Sequence, residues 1–145
     1  AGEHTVRVTF SEASDILGYD VWKLIQEGDP SALNLTVRTQ PILLCCSVAL
    51  WRLWLARGGI TPDYLAGHSL GEWSALVCAE AISFEEALSI VEERGALMQS
   101  AVADCNHYLK HSGRSTLLNA ASPDLAKRFF VVKGTWDPSK LHPSP

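Results

Sequence analysis

The run Gly67-His68-Ser69-Leu70-Gly71 constrains this chain more than any other stretch. A G-x-S-x-G turn passes from a strand into a helix through a sharp reversal that leaves the serine oxygen projecting outward. Glycines at its two ends let strand and helix approach closely. Both flanking patterns are present. Asp63-Tyr64-Leu65-Ala66, after Pro62, reads as a short buried strand, and Glu72 to Ala79 reads as a helix. A serine hydroxyl becomes a useful nucleophile when it is exposed, activated by a base and set beside an oxyanion hole. Here Ser69 is the candidate nucleophile. The backbone N–H of Leu70, at a helix N-terminus, is placed to stabilise a developing oxyanion. The bland alternative is a glycine-rich turn with an ordinary capping serine, and Glu72 is equally explained as a first-turn carboxylate.

The remaining segments favour an α/β fold, with helices alternating around that strand. Thr9 to Leu17 has Phe10, Ala13, Ile16 and Leu17 at helical spacing and Gly18 as a stop. Asp20 can cap a second short helix through Ile25, closed by Gly28-Asp29-Pro30. A polar connection leads to a long apolar helix over Pro41 to Ala56, with Thr39 or Gln40 as its N-cap and Gly58-Gly59 as its end. That stretch is short for a bilayer and interrupted by Arg52, so a buried helix is expected, with no membrane partner. Ser83 and Glu86 form an S-x-x-E capping box for a helix continuing to Val102.

On that last helix the spacing places Phe84, Ala87, Leu88, Ile90, Val91, Leu97, Met98 and Ala101 on one broad arc, with Arg94 inside it. Its i±3 and i±4 neighbours are all apolar, so no carboxylate of the same helix can pair with it. An inward guanidinium needs an anion, and its planar fork matches a carboxylate. Spacing leaves three readings open: an arginine awaiting an acidic substrate, one paired with a carboxylate from another segment, or one that snorkels outward.

Composition narrows the class further. With 145 residues there is room for one domain, and 47% hydrophobic against 19% charged residues is globular. A net charge of −4 gives no electrostatic footprint for nucleic acid. Cys45 and Cys46 are adjacent and no C-x-x-C spacing occurs, so reduced thiols and a cytoplasmic location are expected. Residues 1–102 carry 6 Lys/Arg against 13 Asp/Glu, whereas residues 103–145 carry 6 against 3, with four of the seven prolines. Such a break divides the chain into a region 1–102 and a basic, proline-containing tail 103–145, expected to be poorly ordered. Cys105, His107 and His111 lack a fourth ligand and make a poor metal site, so no metal is expected.

Taken together, Phe10-Ser11-Glu12-Ala13-Ser14, Leu17-Gly18-Tyr19-Asp20, Thr39-Gln40-Pro41, Ala66 through Glu72, Ser74-Ala75-Leu76-Val77, Glu93-Arg94-Gly95 and Met98-Gln99 resemble the malonyl-CoA:acyl carrier protein transacylases of type II fatty-acid synthesis. The resemblance covers about residues 7–102. It implies part of the hydrolase-like α/β core of that fold, with the ferredoxin-like subdomain missing. It also implies malonyl transfer from coenzyme A to acyl carrier protein through a malonyl-serine, with malonyl-CoA as substrate and no cofactor. On that resemblance Ser69 is the nucleophile, Leu70 gives one backbone oxyanion donor, Arg94 holds the malonyl carboxylate and His68 shapes the site. The family's leading F-P-G-Q-G-S-Q segment, its catalytic histidine and its orienting glutamine have no counterpart, and His107, His111 and His142 sit in no family motif. The resemblance therefore implies impaired or absent turnover. An inactive fragment and a serine esterase on the same elbow are the alternatives. An out-of-frame reading after residue 102 would explain the compositional break.

Overall fold

A computed structural model describes residues 2–112 and 130–133. Its elements follow local chemistry closely at the amino-terminal end. Helix α1 spans Gly2–Leu17 and stops at Gly18, whose φ of 73° lies in the left-handed region. It starts seven residues earlier than Thr9 because its first turns are held by surface chemistry that has no apolar period. Arg7 pairs with Glu3 at 3.0 Å across one turn. Helix α2, Val21–Glu27, is capped by Asp20, whose carboxylate accepts from the Lys23 N–H at 2.8 Å. Ser14 ties the two helices together. Its hydroxyl donates to the Phe10 carbonyl and accepts from the Val21 N–H. The polar connection beyond contains one further turn of helix, α3, Pro30–Leu33.

Helix α4 covers Thr36–Ala56, so its start lies a full turn before the expected Pro41. Leu35 occupies the N-cap position and offers no side-chain oxygen. The free N–H of Thr36 is instead satisfied by Gln99 Oε1 at 3.1 Å, from a helix 63 residues further on. Pro41 therefore sits inside α4, and Thr39 and Gln40 are helical residues rather than caps. At 21 residues α4 is long and apolar enough to cross a membrane by length and composition, which corrects the expectation that it is too short. One of its faces is core: Leu44, Cys45, Val48 and Ala49 are buried at i, i+1, i+4 and i+5.

Strand β1, Tyr64–Gly67, leads into α5, Leu70–Cys78, and then α6, Phe84–Ser112. The Ser83–Glu86 box forms as its spacing requires: the Glu86 N–H donates to Ser83 Oγ and the Ser83 N–H donates to Glu86. The helix runs ten residues past Val102, so the boundary expected there falls inside α6. Strand β2, Phe130–Lys133, pairs antiparallel with β1, Tyr64 opposite Lys133 and Gly67 opposite Phe130. His142 and most of 103–145 lie outside the described residues, as do the side chains of Cys105, His107 and His111.

Two expectations of burial are corrected. Strand β1 alternates exposed and half-buried, with Tyr64 64% exposed. Burial on both faces needs flanking strands and a second layer, and among the described residues β1 has one partner strand. On α6, Phe84, Ala87, Leu88 and Val91 are buried, whereas Ile90, Leu97 and Met98 are exposed. The fully buried apolar positions of the arc end at Val91, and beyond it the helix meets α4 through Arg94, Gly95, Met98 and Gln99.

The core joins Phe10 and Ala13 of α1, Val21 of α2, the α4 face and the first half of α6. The described residues are thus mostly helical, around one short antiparallel pair. Arg52 enters the edge of this core with its charge answered by Glu12 at 2.5 Å and its plane over the Phe84 ring. Val48 is 1% exposed at the centre. Val48→Ala removes two buried methyl groups and is expected to cost about 2 kcal/mol in a denaturant titration.

Candidate active site

Ser69 stands at the junction of β1 and α5 with φ 56° and ψ −112°. This positive φ on a residue with a Cβ is a strained conformation that the surroundings must hold in place. Three hydrogen bonds do so. The Gly71 N–H donates to the His68 carbonyl at 2.9 Å and the Glu72 N–H to the Ser69 carbonyl at 3.2 Å. The Ser69 N–H donates to Glu72 Oε1 at 3.3 Å. Glu72 thus holds the reversal itself as well as favouring the helix end.

Gly67 is required by the close approach of strand and helix. A Cβ there would lie 2.0 Å from the Gly71 carbonyl oxygen. At Gly71 an added Cβ meets nothing within 4 Å, so among the described residues only the first glycine of the pair carries that packing role.

Ser69 and His68 are exposed and Leu70 is half-buried at the first position of α5. The Leu70 N–H belongs to the first helical turn, whose N–H groups have no intrahelical acceptor.

Arg94 comes to this elbow from α6. Its Nη2 donates to Ser69 Oγ at 2.9 Å, and its Nη1 donates to Gln40 Oε1. It takes part in none of the three ion pairs among the described residues, which are Glu3–Arg7, Glu12–Arg52 and Glu92–Arg38. Of the three sequence readings for this arginine, pairing with a carboxylate from elsewhere in the described chain is therefore not the one adopted. Its guanidinium faces the serine.

Gln40 is the site residue that sequence reasoning missed. It is 6% exposed, on α4, with its amide nitrogen 3.3 Å from Met98 Sδ. Its oxygen fixes one end of the Arg94 fork. The signal in the sequence is a polar residue at the head of an apolar helix, a pattern that an N-cap also produces. The register between α4 and α6 is set next door by Gly95, where a Cβ would lie 2.7 Å from the Thr36 carbonyl oxygen and the Val37 Cα. Close backbone approach at that point carries Arg94 to Gln40 and onward to Ser69.

Competing nucleophiles are quiet. Burial pushes the Cys45 thiol up to about 12 and the Cys78 thiol up to about 11, and it raises Cys46 as well. Thiolate is scarce at neutral pH in these three, the cysteines whose side chains are described.

An exposed serine on a strained strand-to-helix turn, with a helix N-terminus behind it and a cation on its oxygen, makes up the candidate site. The chain belongs to the acyl transferase domain family, which matches residues 9–125. Among curated relatives, the malonyl CoA-acyl carrier protein transacylase of Salmonella typhimurium is 49% identical over 122 residues, covering 84% of this chain and 38% of that protein. That of Escherichia coli K12 is 56% identical over 99 residues, or 68% of this chain and 32% of that protein. An acyl carrier protein S-malonyltransferase from Vibrio cholerae superposes with a TM-score of 0.66 at 57% identity, over 68% of this chain and 32% of that one. A malonyl-transacylase solved in complex with its type II PKS acyl-carrier protein gives 0.65 at 58%, over 67% and 31%. The chain thus spans about a third of the length of the relatives it matches. The family match itself runs to residue 125, past Val102.

Proposed function

We propose that this chain carries the acylation half of a malonyl-CoA:acyl carrier protein S-malonyltransferase, acting in the cytoplasm in fatty-acid biosynthesis. Its residues form part of the hydrolase-like α/β core of that enzyme. The observation that carries the reading is the 2.9 Å contact between Arg94 Nη2 and Ser69 Oγ, which sets a cation one acyl group away from a nucleophile.

In this reading Ser69 Oγ attacks the thioester carbonyl of malonyl-CoA, and the oxyanion takes the Leu70 N–H. The thioester C–S bond breaks, coenzyme A leaves as the thiol, and a malonyl-serine remains. Arg94, steadied by Gln40, takes the free carboxylate of the malonyl group. His68 shapes the turn. Acyl carrier protein then presents its phosphopantetheine thiol to the ester. An esterase on the same elbow would have no use for a cation beside its serine.

Among the described residues none is assigned the role of the family's catalytic histidine, and a general base is typically worth about 10²–10⁴-fold. Incubation with malonyl-CoA is therefore expected to label the chain slowly, with poor onward transfer to acyl carrier protein. Rapid multiple turnover would overturn the incomplete-site half of the proposal. Absence of any malonyl adduct would overturn the acylation half.

A further inference from the structure

The Arg94 cation donates directly to the oxygen that must attack, Ser69 Oγ, at 2.9 Å. Both terminal nitrogens of the guanidinium already serve neutral oxygens, Ser69 Oγ on one and Gln40 Oε1 on the other. Gln40 is buried on a helix that forms the core, whereas Ser69 is exposed at a turn. One contact is therefore a fixed anchor and the other is exchangeable.

We infer that the Arg94–Ser69 hydrogen bond is a latch on the nucleophile, released by the carboxylate of the acyl donor. A lone pair of Oγ donated toward a cation is withdrawn from attack. A carboxylate meets the guanidinium as an ion pair and can take two parallel N–H bonds, whereas the neutral hydroxyl offers a single acceptor oxygen, so the carboxylate is the stronger partner. A donor with a free carboxylate therefore exchanges with Ser69 on the guanidinium, keeps the Gln40 anchor in use and frees Oγ next to its own thioester. A donor lacking the carboxylate, such as an acetyl thioester, meets a serine that stays latched. Selectivity then acts at the nucleophile as well as at binding. This rests on the malonyl reading above for its biological donor, but the latch itself is testable without any thioester.

The probe is phenylmethanesulfonyl fluoride, which is neutral and has no carboxylate. It sulfonylates Oγ while fluoride leaves and the hydroxyl proton passes to solvent, and intact mass counts the adduct. With the latch, Arg94→Ala reacts about tenfold faster than the unaltered chain, the factor that one net hydrogen bond is worth. In the unaltered chain, added acetate at constant ionic strength accelerates sulfonylation to a plateau, and Arg94→Ala loses that response. An Arg94 that instead activates the serine by stabilising its alkoxide gives a slower Arg94→Ala and inhibition by acetate. Slower or unchanged reaction in both arms overturns the latch. Should Arg94→Ala fail to fold, the acetate titration of the unaltered chain decides alone. The malonyl reading fails separately, as absence of a malonyl adduct in a chain that still shows acetate-accelerated sulfonylation.

Discussion

Arg94→Ala lowers the rate of malonyl transfer from malonyl-CoA onto the chain by roughly tenfold to hundredfold and erases the preference for malonyl-CoA over acetyl-CoA. The magnitude follows from what is removed: charge-assisted hydrogen bonds to a carboxylate, each worth about 1.5–3 kcal/mol. The sign of the selectivity change follows from geometry. In the intact site the guanidinium sits 2.9 Å from Ser69 Oγ, braced by Gln40, so a malonyl group on the serine carries its carboxylate back toward that fork. An acetyl group has nothing to place there. Time courses with the two thioesters, read by intact mass, give both quantities. Arg94→Lys keeps the charge but not the planar fork, and it is expected to recover only part of the preference. Equal selectivity before and after Arg94→Ala would remove the arginine from the substrate site.

Gly67→Ala is expected to destabilise the elbow by about 3 kcal/mol, at the top of the usual range for overpacking. The added carbon would meet the Gly71 carbonyl oxygen at 2.0 Å. That oxygen belongs to the backbone of α5, so relief requires strand and helix to separate rather than a side chain to rotate. The strained Ser69 backbone depends on the same few contacts, from His68 to Gly71 and from Glu72 back to Ser69. Loss of stability is therefore coupled to loss of acylation at Ser69. Gly71→Ala, with nothing within 4 Å of its new carbon, is the matched control and is expected to be much milder. Denaturant titration of the two variants side by side checks the contrast.

Much of this was legible in the sequence where the physics is local. Asp20, the Ser83–Glu86 box and Gly18 mark helix ends through contacts within four residues, and each does so in the structure. The elbow is likewise a local object. The start of α4 was not legible because its first N–H is satisfied by Gln99, a partner that exists only after α6 has packed. The same tertiary packing turns Gln40 from an expected cap into the buried brace of Arg94. Helical spacing placed Arg94 correctly in line with Val91, but it could not say that Leu97 and Met98 would stay exposed. A period reports which residues share a face, not whether another element covers it. For β1 the error has the same origin: an apolar run announces a strand, while its burial depends on neighbours far away in sequence.

The most direct test of the acyl-serine is to incubate the chain with malonyl-CoA, quench at low pH and locate the adduct by peptide mass mapping. One malonyl group on Ser69, slow to form, absent from Ser69→Ala and absent from Cys45, Cys46 and Cys78, is the expected result. Malonyl on a cysteine or lysine, or an adduct that persists in Ser69→Ala, would contradict the assignment of Ser69 as the nucleophile.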